Sequence, residues 1–183
     1  MRYFKIIFIF FLFLLSKTSL ASENIVEILK KESNIIFIRH AIAPGNGDPL
    51  NFDILDCSTQ RNLSKKGIEQ SKQIGEFFKK NKVIISKVLS SQWCRCKDTA
   101  FHAFGKYEEF FALNSTFQIK FSGNSKKQAE ALKSYVKKWD GKGNIILVTH
   151  YVIILKHTNY APSSGELVIT DKNFNVLSTL RTD

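Results

Sequence analysis

Asn34-Ile35-Ile36-Phe37-Ile38-Arg39-His40-Ala41 is the stretch on which the reading of this chain turns. Four consecutive apolar residues, Ile35 to Ile38, predict a strand buried on both faces, as in a parallel sheet covered by helices. The strand runs directly into Arg39 and His40. The same pattern recurs downstream, where Ile145, Ile146, Leu147 and Val148 lead into Thr149 and His150. Two core strands thus each deliver a histidine at the carboxyl end. In open α/β sheets, that end is where ligands bind.

Helix and strand patterns alternate around these two strands. A short helix is expected from Ile25 to Lys31. A loop rich in Gly, Pro and Asp follows the first strand from Pro44 to Leu50, and an irregular polar stretch runs from Asn51 to Asn62. Ser64 reads as the N-cap of a helix from Lys65 to Lys80. Its inner face is Ile68, Ser71, Ile74, Gly75, Phe77 and Phe78. Then come a short strand at Lys87 to Ser90, a helix from Trp93 to Phe104 and a further strand at Phe110 to Leu113. Another helix runs from Asn124 or Ser125 to Trp139. After the His150 strand and a short helix, two strands close the chain, Glu166 to Thr170 and Asn175 to Leu180. The alternation predicts an α/β three-layer sandwich with a mainly parallel sheet, helices on both faces and an antiparallel final hairpin.

The N-terminus has its own composition. Arg2 and Lys5 precede an unbroken apolar run from Ile6 to Leu15, and Ser19-Leu20-Ala21 ends in a small residue. This is the layout of a secretory signal peptide, residues 1–21. The run is shorter than the roughly 20 apolar residues a membrane span needs. A membrane role is therefore expected only through an uncleaved leader. The mature domain would be residues 22–183, placed in the periplasm or secreted.

The 183-residue chain carries a formal charge of +11. Removing Arg2, Lys5 and Lys17 with the leader leaves 11 − 3 = +8. The lysines are scattered over the helices, which reads as solvated helix faces and not as a nucleic-acid surface. No RNA-binding motif accompanies the aromatics. The three cysteines, Cys57, Cys94 and Cys96, permit a disulfide if the chain is exported. Cys57 is expected to pair with Cys94 or Cys96. Cys94-x-Cys96 is not a zinc spacing, and no His/Cys pair completes one.

The strand ends bring together residues of one chemical character. Arg39 precedes His40, Arg95 opens a helix just after the Val88-Leu89-Ser90 strand, and His150 ends the downstream strand. Arginine pairs bidentately with phosphoryl oxygens. One strand-end histidine is ordinarily structural; two on matching strands, with two arginines, form a convergent site. His102 and His157 have no such context and are read as structural.

Four segments in order carry a resemblance. Arg39-His40-Ala41 resembles the R-H-G/A signature of the histidine phosphatase, or phosphoglycerate mutase-like, superfamily. Leu63 to Ser71 is similar to its helix-start element, and Ser91 to Ala100 to its S-x-x-x-R-x-x-x-T-A element. Val148-Thr149-His150 is similar to its second-histidine strand. The resemblance spans the mature domain. It implies a phosphomonoesterase needing no metal or other cofactor, in which His40 attacks phosphorus and a covalent phosphohistidine is cleaved by water. Arg39, Arg95 and His150 would hold the equatorial oxygens, where charge needs stabilisation. Arg61 is similar in position to an arginine some small members carry and would sit at the rim of the pocket.

The sequence departs from the family in its acid. Where the mutase branch carries a glutamate, Phe111 to Ser115 stand; where the acid phosphatase branch carries an aspartate, Tyr151 follows His150. Glu166 is the expected replacement, with Asp48, Asp53 and Asp56 as rivals and Glu108 and Glu109 further behind. The expected partner is a phosphorylated small molecule or envelope component. The alternative is a catalytically weak module of the cell envelope that binds a phosphate ligand.

Overall fold

The computed structural model describes residues 25–182, so the leader expected at residues 1–21 lies outside the described residues. The strands are β1 (Ile35–Arg39), β2 (Ile85–Ser90), β3 (Glu108–Glu109), β4 (Asn144–Thr149), β5 (Leu167–Thr170) and β6 (Val176–Leu180). A first helix, α1, covers residues 25–30. It is followed by α2 (Lys65–Lys80), α3 (Cys94–Phe104), α4 (Ile119–Ser122), α5 (Ser125–Lys138) and α6 (Tyr151–Thr158). The six strands form one sheet in the order β3-β2-β4-β1-β5-β6. The β2–β3, β2–β4 and β4–β1 pairings are parallel, and β5 and β6 join antiparallel.

The unbroken apolar runs are buried because both faces of the sheet are covered. Side chains alternate across a strand. Ile36 and Ile38 of β1 therefore join Ile146 and Val148 of β4 beneath α1, α2 and α3, packed with Leu29, Ile74, Phe78 and Ala100. Ile35 and Phe37 point the other way, with Ile145 and Leu147, onto Leu132 and Val136 of α5 and Ile154 of α6. That is the three-layer sandwich. A buried amide pair closes its lower end. Asn34 Nδ2 donates to Asn144 Oδ1 at 2.8 Å, and Asn144 Nδ2 donates to the carbonyls of Leu29 and Ile84.

Helix α2 begins and ends at the expected residues. Ser64 caps it, its Oγ accepting from Gly67 N at 3.1 Å. Its buried residues are Gly67, Gln70, Ser71, Ile74 and Phe78, with Phe77 partly buried against the same core and Gly75 against the Ala103 backbone; Gly67 and Gln70 are buried where Ile68 was expected. Gln70 is buried because it is a tether. Its Oε1 accepts from Ile42 N, and its Nε2 donates to Ser164 O.

The expected strand at Phe110 to Leu113 is absent. Pairing with β2 stops at Glu109, and Phe111–Leu113 turn into a 3-10 helix. Leu113 and Ala112 are drawn under α5, and Gln128 Nε2 donates to the carbonyls of Phe111 and Asn114. A four-residue apolar run has no periodicity that separates a strand from such a turn.

Gly67 lies against the loop that leaves β1. A Cβ there would stand 2.2 Å from the carbonyl oxygen of Ile42. Backbone cannot yield as a side-chain tip can, so Gly67→Ala is expected to destabilise the fold by about 1–3 kcal/mol, as overpacking does. Chemical denaturation should show a lower midpoint for the variant at unchanged slope.

Candidate active site

The site arises at the carboxyl ends of three adjacent parallel strands, β2, β4 and β1. Arg39 pairs in register with Thr149, and His40 N donates to Thr149 O at 2.9 Å. Ser91 N donates to Val148 O at 2.9 Å on the other side of β4. The sheet therefore sets His40, His150 and the turn into α3 side by side. The two imidazoles lie 5.6 Å apart, centroid to centroid, nearly edge to face.

A cavity of about 200 Å³ opens there. Arg39, His40, Arg61, Arg95 and His150 all line it, so the structure brings five of the six expected site residues together. Glu166 is the exception and is corrected. Its side chain is buried away from the cavity, where Oε1 accepts from Tyr160 Oη and Oε2 from Ser163 N, each at 2.6 Å. The reason is local: residues 160–166 fold back on themselves, and the carboxylate satisfies that turn. The same turn supports the site indirectly. It presents Pro162 O to Arg39 Nη1 at 2.9 Å, and Gly165 N donates to the carbonyls of Arg39 and His40.

Of the rival acids, only Asp48 reaches the cavity. Asp53 Oδ1 accepts from Leu55 N, and Asp56 caps a short 3-10 helix through Ser58. Glu108 and Glu109 lie on the sheet edge with Lys87 and Lys97. Asp48 meets Arg95 as a bidentate pair, Nη1–Oδ1 at 2.7 Å and Nη2–Oδ2 at 3.2 Å. It also accepts from Trp93 Nε1 and Arg61 N. Burial raises the Asp48 carboxyl, but these donors outweigh it and hold it below the usual carboxylate range. Asp48 is thus an ionised anchor that aims Arg95. The sequence marked its loop as a candidate region but carried no sign of this partner.

His40 is buried, and burial pushes its pKa well below the ordinary histidine value, with Arg95 adding to the effect. It is therefore neutral near pH 7. Its Nδ1 lies 2.9 Å from Ala41 O. Only a protonated Nδ1 can donate to a carbonyl, so Nε2 keeps its lone pair. His150 is likewise held neutral by burial and by Arg95. Arg95 Nη2, which can only donate, meets its Nδ1 at 3.3 Å. The proton then sits on Nε2, which meets Ser91 Oγ at 2.9 Å, and Ser91 passes the chain to Asn114 Oδ1. Ser91 and Asn114 went unmarked as site residues in the sequence because their role is to orient a neighbour.

The cavity wall carries three guanidinium groups and one carboxylate, 3 − 1 = +2 with both histidines neutral. Burial lowers the pKa of Arg39 and of Arg61, and the neighbouring cations lower them further. Buried Nε atoms of Arg39 and Arg95 have no partner among the described residues. Such groups favour an anion with several oxygens. Among the described residues, no group of three or more His, Cys, Asp or Glu could hold a metal ion.

Cys57 and Cys94 form a disulfide, which selects Cys94 from the two expected partners. It ties the loop bearing Asp48 and Arg61 to the first residue of α3, beside Arg95. Cys96 is free and buried 3.5 Å from His150 Nε2, and burial pushes its thiol up to about 12, so it stays protonated and inert.

This sequence matches no protein-family model and no curated protein. Solved structures do resemble it. The protein histidine phosphatase SixA complexed with tungstate superposes with a TM-score of 0.57 at 15% identity, over 81% of this chain and 97% of that one. The fold is phosphoglycerate mutase-like. A phosphoglycerate mutase from Thermus thermophilus aligns with a TM-score of 0.57 at 14% identity, over 82% of this chain and 99% of that chain. A Mycobacterium tuberculosis open reading frame product gives 0.58 at 14% identity, over 81% and 95%.

Two outcomes follow from this geometry. Burial holds the folded-state pKa values of His40 and His150 below the ordinary 6.5, and that of half-buried His157 at about 4. Below pH ~6.5 the unfolded chain then binds more protons than the folded one, so stability falls with pH across the window from about 6.5 to 4. Melting temperature followed over that range should decline steadily. Reducing the disulfide, whose cysteines are 37 residues apart, should lower stability by about 2–4 kcal/mol. Denaturation midpoints with and without reductant measure this.

Proposed function

We propose that this protein is a phosphomonoesterase of the histidine phosphatase superfamily that works through a phosphohistidine at His40. The observation that carries the proposal is the cavity itself. A buried neutral histidine with a bare Nε2 faces three guanidinium groups and a second neutral histidine. The phosphoglycerate mutase-like fold supports the same reading.

In this mechanism the phosphoryl oxygens occupy the donors of Arg39, Arg61 and Arg95. Their charge is met by groups already in place, which costs little reorganisation during transfer. His40 Nε2 attacks phosphorus in line, and the Nδ1–H bond to Ala41 O supports the charge that develops on the ring. His150 stands beside the arginines, its Nδ1 accepting from Arg95 Nη2 and so helping to aim that guanidinium. Water then cleaves the N–P bond and releases inorganic phosphate. A weakly catalytic phosphate-binding role is the second reading, favoured by the engagement of Asp48, the one carboxylate on the cavity wall among the described residues.

Export to the periplasm or beyond forms part of the proposal. Residues 1–21 have the signal-peptide layout, and the Cys57–Cys94 disulfide suits an oxidising compartment. Among the described residues, no helix is long and apolar enough to cross a membrane.

Hydrolysis of a generic aryl phosphate, assayed with chelator present, tests the activity. His40→Ala is expected to lose turnover on the order of a thousandfold or more, since a nucleophile has no substitute. Full retention of activity by that variant would overturn the proposal. Phosphate binding without any acid-labile phosphohistidine would favour the second reading.

A further inference from the structure

When His40 attacks, the substrate's oxygen must leave. An alkoxide is a strongly basic leaving group and needs a proton from an acid as its bond to phosphorus breaks. Among the described residues, the cavity offers one carboxyl group, Asp48. Both its oxygens are taken. Oδ1 accepts from Arg95 Nη1 and Arg61 N, and Oδ2 from Arg95 Nη2 and Trp93 Nε1. Every partner is a donor, so the carboxylate is held without a proton to give. Glu166 is sealed in its own turn by Tyr160 and Ser163.

The walls beyond the arginines are aromatic. Phe117, Phe121, Trp93 and Tyr151 line the cavity with Ser115 and Gln118. Phe117 remains 66% exposed at the cavity, and Tyr151 37% exposed with the Arg39 guanidinium over its ring at 5.4 Å. Trp93 is fixed, stacked on Phe52 at 5.1 Å and edge-on to Phe121 at 5.2 Å. Planar rings bind such a wall by offset or edge-to-face contact.

We infer that the substrate is an aryl phosphate monoester, whose phenolic oxygen leaves without acid assistance and whose ring rests on the aromatic wall. This rests on the phosphohistidine reading above. In the first step, the His40 Nε2–P bond forms and the aryl O–P bond breaks, its electron pair leaving on the phenolate. In the second, water adds to phosphorus, the N–P bond breaks and the electron pair returns to Nε2. The attacking water releases a proton to solvent, and the phenolate takes one up from solvent. The balance is one aryl phosphate and one water giving one phenol and one inorganic phosphate.

Phenyl phosphate and benzyl phosphate separate the elements of this inference, because both carry a ring and only the first has a weakly basic leaving oxygen. The kcat/KM for phenyl phosphate is expected to exceed that for benzyl phosphate by on the order of a hundredfold or more, the size of the missing acid contribution. Asp48→Asn should slow both esters by the same factor, since Asp48 serves Arg95 and not the leaving group. Phe117→Ala should raise KM for phenyl phosphate several-fold with kcat little changed. Comparable rates for the two esters, with phosphohistidine formed from both, would overturn the inference and leave the phosphatase reading standing. A selective loss of benzyl phosphate turnover in Asp48→Asn would also overturn it, by making Asp48 an acid. An unchanged KM in Phe117→Ala would remove the ring-binding wall. Failure of both esters to phosphorylate His40 would overturn both readings.

Discussion

The parallel pairing of β1 with β4 is the constraint on which the rest depends. Arg39 faces Thr149, and His40 N donates to Thr149 O, so the two histidines leave neighbouring strands at the same level. A slip of one residue would turn every side chain of β1 to the opposite face. Ile36 and Ile38 would then exchange places with Ile35 and Phe37, and both helix layers would lose their fit. The packing that buries the sheet therefore also positions His40. Stability and site geometry come from one register.

Onto that register the site adds charge at close quarters. Three guanidinium groups crowd one cavity and repel each other. Asp48 relieves part of this by binding Arg95 through both oxygens. The disulfide and the Arg61 bonds to Gly47 O and Ala43 O fold the Asp48 loop over α3. Burial keeps both histidines neutral, which limits the cost of assembling the site. Each histidine then has its tautomer set by one backbone or side-chain partner. The remaining positive charge is available to an anion.

Much of this was legible in the chain. Ile35 to Ile38 and Ile145 to Val148 announced buried strands, because a short run of four apolar residues fits a strand covered on both faces. Ser64 announced the start of α2, since an N-cap acts within one turn of its own residue. Arg39, His40, Arg95 and His150 stood at strand ends or just past them, where α/β sheets place ligands. Phe110 to Leu113 misled because burial beneath α5, not local preference, decides its path. Glu166 misled because a place at a loop-to-strand junction says nothing of where a side chain turns.

The sequence by itself determined what travels with the backbone: the strands, the helix caps and the residues that stand just past a strand end. These depend on a few neighbours and on side-chain alternation, and both can be read along the chain. Only the tertiary structure decided which carboxylate meets which arginine. Asp48 and Arg95 are 47 residues apart, and their bidentate pair exists only after the loop folds over α3. It likewise chose Cys94 over Cys96 for Cys57, and it sent Glu166 inward to Tyr160 and Ser163. Such contacts depend on distances across the fold, and no local pattern in the chain encodes them.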